Sequence, residues 1–269
     1  QSGPSQSFRA SWFQSYMNGE PETHVDYFPY PFATLNRELL GYARGELVVL
    51  AGYSGDGKSV TALQVLESAC IMGARVGYWS LEMPPQQIER RLVSNAGVPI
   101  YVLRNREFSQ LQFEVVRRRL AVLRGYQYDV YGGSFTMEQI VEHQHREKYD
   151  VVIIDHLHRM PNSGDRVAIE EYTRAAKDLA LDTNSAVVAL AQLSRREGFP
   201  PPTTNQLRGT DVLTQEGDVV LFIYRERDMD GVRLPSARML TAKVRDGACD
   251  MELPLQFVAD TMSFIQVGE

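Results

Sequence analysis

The sequence predicts an α/β fold: a mostly parallel central sheet flanked by helices, closed by a C-terminal antiparallel extension. Three observations predict it. From Leu47 onward, short apolar runs alternate with segments whose apolar residues recur at helical spacing, the pattern of a parallel sheet with helices on both faces. The first of these runs passes directly into Gly52-Tyr53-Ser54-Gly55-Asp56-Gly57-Lys58-Ser59, a G-x-x-x-x-G-K-S match set between a strand and a helix. After Tyr224 the helical pattern stops and only alternating segments follow.

Taken in order, strands are expected at Leu47–Ala51, Val76–Ser80, Tyr128–Tyr131, Val151–Ile154, Ala186–Ala191 and Val219–Tyr224, each a short apolar or β-branched run. Helices are expected near Lys58–Met72, Gln86–Ala96, Ser109–Leu123, Met137–Glu147 and Val167–Thr183. Arg238–Val244, Met251–Phe257 and Ser263–Val267 read as antiparallel strands, with turns at Asp246-Gly247 and Ala259-Asp260. Residues 1–31 read as an N-terminal arm ahead of the main domain over 32–269. Phe8, Trp12, Phe13, Tyr16 and Met17 recur along the arm at helical spacing, giving a short helix with an aromatic face. That face is too apolar for water and the helix too short to stand alone, so it either folds back on its own domain or docks on a neighbouring subunit; the second is expected.

Composition sets the outer limits. At 269 residues with 43% apolar side chains, one large domain is the better expectation. No apolar run approaches a membrane span, and Gln1–Arg9 is polar rather than signal-like. Cys70 and Cys249 lack metal-ligand spacing, so a reduced cytoplasmic setting with two structural thiols is expected, the bacterial host cytoplasm if the chain is phage-encoded. The net charge of -6 argues against a nucleic-acid-coated surface but leaves room for a local basic channel.

The Gly-Lys-Ser loop carries the clearest chemistry. Its glycines let backbone N–H groups close around phosphates at the positive end of a helix dipole. Gly52, Ser54, Gly55, Asp56, Gly57, Lys58 and Ser59 would form the phosphate cradle, with Lys58 on the β- and γ-phosphates and the Ser59 hydroxyl on Mg²⁺. Asp155 ends the apolar run Val151–Ile154, where a carboxylate orients Mg²⁺; the plain alternative is a strand-end cap. Glu82 stands just beyond the strand Val76–Ser80, where it could polarise an attacking water or merely cap the next helix. Gln192 ends another strand, placed to sense the γ-phosphate or simply satisfied there.

Together these segments resemble the RecA-like motor domain of the DnaB-type hexameric replicative helicases. The carriers are the Walker A run at Gly52, Ser-Leu-Glu-Met at Ser80, Val-Val-Ile-Ile-Asp-His-Leu at Val151, Ala-Leu-Ala-Gln-Leu-Ser-Arg at Ala189, Phe-Ile-Tyr-Arg at Phe222, and Lys-Val-Arg-Asp-Gly at Lys243. The resemblance spans about Phe32 to Val267. It implies an ATP- and Mg²⁺-dependent ATPase working as a DNA helicase in DNA replication, with Glu82 as catalytic base, Asp155 as metal-side acid and Gln192 as sensor. It further implies a homo-hexameric ring on single-stranded DNA, in which Lys243 and Arg245 reach the ATP site of the next subunit. Without the family pattern those two would be basic residues on a surface hairpin.

Two departures stand against the pattern. The helicases carry an N-terminal helical domain for which this chain has no room, so a motor-only, phage-type protein is expected, its loader and primase contacts in doubt. Asp56 sets an acid inside the phosphate loop, which would weaken nucleotide affinity if its side chain faces the phosphates. A rival reading is a RecA-like recombination or repair accessory ATPase that binds and remodels DNA without processive unwinding; a third is a non-motor regulatory ATPase. For the ring, the loops Pro161–Arg166 and Arg195–Leu207 are expected in the central channel. Arg166, Arg195, Arg196 and Arg208 would track phosphates there, or else belong to solvated surface loops.

Overall fold

In a computed structural model the described residues are 27–193, 200–203, 211–245, 247 and 249–268. The expected arm helix (Phe8, Trp12, Phe13, Tyr16, Met17) and Arg195, Arg196 and Arg208 lie outside them.

One nine-stranded sheet, in the order β11-β10-β9-β8-β3-β7-β6-β4-β5, organises the domain. β3 (Leu47–Gly52), β4 (Val76–Ser80), β5 (Tyr128–Gly132), β6 (Val151–Asp155), β7 (Ala186–Gln192) and β8 (Val219–Arg227) run parallel. β9 (Arg233–Val244), β10 (Glu252–Val258) and β11 (Ser263–Gln266) continue the sheet antiparallel. The six expected parallel strands are all present, most of them running one to three residues further at the C-terminal end.

Alternation sorts the core into two layers. Val48, Leu50, Val151, Ile153, Val188 and Leu221 pack with helix Lys58–Ile71 (α2) and helix Pro85–Ser94 (α3). Leu47, Val49, Val152, Ile154, Val187 and Val220 pack on the opposite face against helix Met137–Glu147 (α6) and helix Arg166–Thr183 (α7). The remaining long helix, α5 (Gln110–Gly125), starts at a capping box in which Ser109 and Gln112 bond each other's backbone N–H groups; Thr136 and Gln139 repeat the device at α6.

Several short elements escape the sequence pattern. They are α1 (Ala33–Leu39), α4 (Ile100–Asn105), α8 (Asp211–Glu216) and the two-residue pair β1 (Tyr27–Phe28) with β2 (Tyr42–Ala43). The packed unit also reaches N-terminal to the expected boundary at 32. Phe28 and Tyr30 are buried, and their rings lie 5.7 and 5.2 Å from that of Tyr42. Only one of the two thiols is structural: Cys70 is buried, whereas Cys249 is exposed.

At the N-terminal end of the parallel strands, the Asp218 carboxylate is buried as a hub. It accepts from the Leu47 N–H at 2.8 Å, from Lys177 Nζ at 2.7 Å and from Arg245 Nη1 at 2.6 Å. Removing one member of such a group leaves a buried charge without compensation, at about 3–5 kcal/mol. Asp218→Ala should lower unfolding free energy by about that amount in urea. Adding Lys177→Met should recover much of the loss, and a cost under about 1 kcal/mol for Asp218→Ala would show that water already screens the hub.

Candidate functional site

The parallel register brings the chemistry-bearing strand ends to one edge. Gly52 pairs with Gln192, and Ser80 with Asp155, so the residues beyond them converge. They line a cleft of about 670 Å³ that includes Ser54, Gly55, Gly57, Lys58, Ser59, Glu82 and Gln192. The sequence-expected residues Gly52, Asp56 and Asp155 stand immediately behind this lining.

Two motif glycines are required by their surroundings. Gly57 has φ 105°, and a Cβ there would sit 2.5 Å from the Phe264 ring. A Cβ on Gly52 would fall 2.6 Å from the Ile223 carbonyl oxygen. Phe264 is held in place by Gln64 of α2, whose amide bonds both the N–H and the carbonyl of Phe264. The antiparallel extension is therefore a wall of the loop.

Asp56 does not face the cleft, contrary to the concern raised by its position. It is fully buried behind the loop, 2.7 Å from Arg227 Nη2 and 3.0 Å from Arg233 Nε. Arg233 also donates to the Ser54 carbonyl at 2.5 Å. The acid thus ties the loop to the β8–β9 hairpin, and its charge is neutralised by two guanidinium groups.

Lys58 Nζ donates to the Gly52 and Tyr53 carbonyls at 3.0 and 3.2 Å. Burial pushes its pKa down, opposed by the carboxylates of Asp155, Asp56 and Glu82. Asp155 is raised by burial, with hydrogen bonds from Tyr78 and Ser59 and the Lys58 charge opposing. The Tyr78 hydroxyl donates to Asp155 Oδ2 at 2.6 Å, while Oδ1 has no partner. An unpartnered carboxylate oxygen beside a serine hydroxyl is a hard donor set that suits Mg²⁺. Among the described residues no group of three or more His, Cys, Asp or Glu could hold a metal unaided. A divalent ion here would be completed by phosphate oxygens and water.

Glu82 is half-exposed at the cleft rim, 3.1 Å from Arg159 Nη2 and 3.4 Å from His156 Nε2. Burial lowers the His156 and His158 pKa values to about 4 each, which keeps both imidazoles neutral near pH 7. Gln192 donates its backbone N–H to His158 Nδ1 at 3.3 Å.

The expected residues are not all together. Lys243 donates to the Thr214 and Gln215 carbonyls at 2.7 and 3.0 Å, and Arg245 pairs with Asp218. Val244 stands opposite Val219, which pairs with Val48 near the start of β3. The basic pair therefore sits roughly 16 Å, the rise of β3, from the loop that ends that strand. Arg166 opens α7 and pairs with Glu170 at 2.9 Å.

Sequence reasoning missed Arg91, Arg225, Phe257 and Met262, which also line the cleft. Arg225 ends the Phe-Ile-Tyr-Arg run and stacks 4.2 Å over Phe257, so a signal existed for it. Arg91 is one of two consecutive arginines on α3, with no pattern to single it out.

Comparisons with known proteins give the family and the fold. The family model for the DnaB-like helicase C-terminal domain matches residues 28–266. The chain is 28% identical over 258 residues to the replicative DNA helicase DnaB of Mycoplasma genitalium, covering 87% of this chain and 55% of that protein. It is 28% identical over 217 residues to a probable plasmid replicative DNA helicase of Chlamydia psittaci, covering 76% and 47%. It thus spans about half the length of the curated relatives it matches. A solved ATPase domain superposes with a TM-score of 0.86 at 22% identity, covering 98% of this chain and 100% of that one. A DnaB-like replicative helicase, solved in work on its interactions with primase, gives 0.85 at 22% identity, with 98% and 69% covered. This is the RecA-like fold expected from the sequence.

The Asp56 clamp gives a test with opposite signs. Asp56→Asn leaves the buried Arg227 uncompensated and loosens the loop, so a fluorescent ATP analogue should bind roughly tenfold more weakly, as for a loss of about 1.4 kcal/mol. Tighter binding would mean instead that the acid acts mainly by repelling phosphate.

Proposed function

Because this chain belongs to the DnaB-like helicase C-terminal domain family, we propose that it is an ATP-hydrolysing ring motor that acts on single-stranded DNA and separates duplex strands. One observation carries the reading: the polar and charged groups assigned to the site are divided between the two ends of the sheet. Lys58, Ser59, Glu82, Asp155 and Gln192 gather at one edge, while Lys243 and Arg245 stand a strand length away. Arg245 cannot reach its own cleft, so the nucleotide it would serve belongs to another copy of the chain.

In this reading the loop N–H groups and Lys58 hold the β- and γ-phosphates. Ser59 and Asp155 would hold Mg²⁺, which would supply positive charge against the phosphate oxygens. Glu82 takes the proton of the attacking water, and Gln192 reports the γ-phosphate to the chain beyond β7. Phe257, Met262 and Arg225 offer the base an apolar wall with a cationic edge. Arg245 of a neighbouring copy, backed by Lys243, stabilises charge on the transferred phosphoryl group, as an arginine finger does. A closed hexamer would repeat this interface six times around the strand. Arg166, with Arg195, Arg196 and Arg208, supplies phosphate contacts without sequence readout. No helix among the described residues is long and apolar enough to cross a membrane.

Glu82→Gln should keep nucleotide binding and lose roughly a hundredfold or more in turnover. Steady-state phosphate release measures this, and near-normal turnover would remove Glu82 from the base role. On a tailed duplex the intact protein should separate strands only with ATP, whereas hydrolysis without separation would favour the DNA-remodelling accessory reading.

The divided site predicts complementation. Arg245→Ala should bind ATP and hydrolyse it poorly, by about 10³-fold. Mixing it with Lys58→Ala in freshly assembled rings should restore part of the rate, because some interfaces then join an intact Arg245 to an intact Lys58. Mixed rings with no recovery would place the completed site within one chain.

A further inference from the structure

Several groups assigned to the cleft meet one short turn. The 3₁₀ segment Leu157–Arg159 follows Asp155 after the single residue His156; Arg159 donates to one oxygen of the Glu82 carboxylate at 3.1 Å, and His156 Nε2 lies 3.4 Å from the other. The same turn reaches Gln192 through His158. Its other end continues into the loop leading to Arg166. That loop is fastened by Ser163 Oγ donating to the His158 carbonyl at 2.7 Å and by the Tyr172 hydroxyl donating to the Pro161 carbonyl. The segment carrying Arg159 is therefore rigidly joined to the loop proposed to meet DNA.

A carboxylate with one oxygen held by a guanidinium is poorly placed to orient water. The Arg159–Glu82 pair is also easily exchanged: the two side chains are 55% and 46% exposed, where an ion pair is weak. A phosphodiester offers a guanidinium a charged oxygen acceptor that matches its fork at least as well.

From this geometry we infer that Arg159 is a shared ligand, paired with Glu82 in the absence of a strand and turned to a backbone phosphate when single-stranded DNA enters the adjoining loop. The exchange releases Glu82 to take the proton of the attacking water, so strand binding switches on hydrolysis. The inference rests on Glu82 being the base and adds how that base is gated.

The test uses the full chain with Arg159→Ala, a half-exposed position whose truncation leaves the core untouched. Phosphate release without DNA should rise about two- to fivefold, the scale of a half-exposed ion pair, and added oligothymidylate should stimulate it further only weakly. In the presence of a non-hydrolysable ATP analogue, the salt slope of oligothymidylate binding should fall by about 0.7, one phosphate contact. Arg159→Lys, which keeps charge without the fork, should fall between. If the variant loses basal and stimulated rates alike, Arg159 merely positions Glu82 and the inference is overturned. A raised basal rate with an unchanged salt slope, or no change in either, overturns it as well. The double variant Arg159→Ala, Glu82→Gln separates the two readings: the gain should vanish, and a gain that survives places the failure in the role given to Glu82.

Discussion

Everything at the cleft depends on the backbone ladder between β3 and its two parallel neighbours. The strand is buried on both faces, so each N–H and C=O must find a partner within the sheet, and sliding by one residue would exchange the faces of every side chain. With Ala51 opposite both Ala191 and Phe222, the register leaves no freedom over where β3 ends. Gly52 must emerge beside Gln192, and the loop that follows must open onto the edge where Ser80 and Asp155 finish. Packing of methyl groups in the middle of the sheet thereby fixes polar geometry at its rim.

Two buried aspartates mark the ends of the β8–β9 hairpin. Asp56 meets Arg227 and Arg233 at the loop end, and Asp218 meets Lys177 and Arg245 at the opposite end. Each acid faces two cations, so neither is a lone buried charge, and each fastens a segment whose backbone lies outside the ladder of β3. Such groups contribute less to net stability than an apolar core would, and their worth lies in holding one arrangement rather than several. The register shifts in the pairing of β8 with β9, where β9 carries extra residues opposite Val220–Leu221 and opposite Arg225–Arg227, show where the hairpin bends to make both connections.

Much of this was legible in the sequence because the dominant signals are local. The run from Leu47 to Ser59 states a strand, a turn and a helix start in thirteen consecutive residues, and periodicity carries the other five parallel strands. What stayed hidden involves partners distant in the chain. The apolar pattern ends at Tyr224 and resumes at Arg238, yet β8 runs on to Arg227 and β9 begins at Arg233, where Asp56, some 170 residues earlier, meets both arginines. Phe28 and Tyr30 read as part of an arm because nothing nearby shows that Tyr42 receives them. Helices of six or seven residues such as Ile100–Asn105 and Ala33–Leu39 complete too few turns to show a face. His156, His158 and Arg159 follow Asp155 in a turn that looks like an ordinary exit from a strand; only the fold brings Glu82 and Gln192 against it.

The contact between Arg245 and Asp218 bears on the entropy of assembly. An exposed arginine normally surrenders much of its rotamer freedom when it enters an interface, a cost on the order of 1–2 kcal/mol. Here one guanidinium nitrogen is already 2.6 Å from a buried carboxylate oxygen, and the Arg245 backbone N–H donates to the Asp218 carbonyl at 2.8 Å. A guanidinium has five N–H donors, so this anchoring leaves capacity for a second acceptor. The side chain's disorder is removed when the single chain folds, before any neighbour arrives, so a docking event would meet a preorganised cation rather than a flexible one.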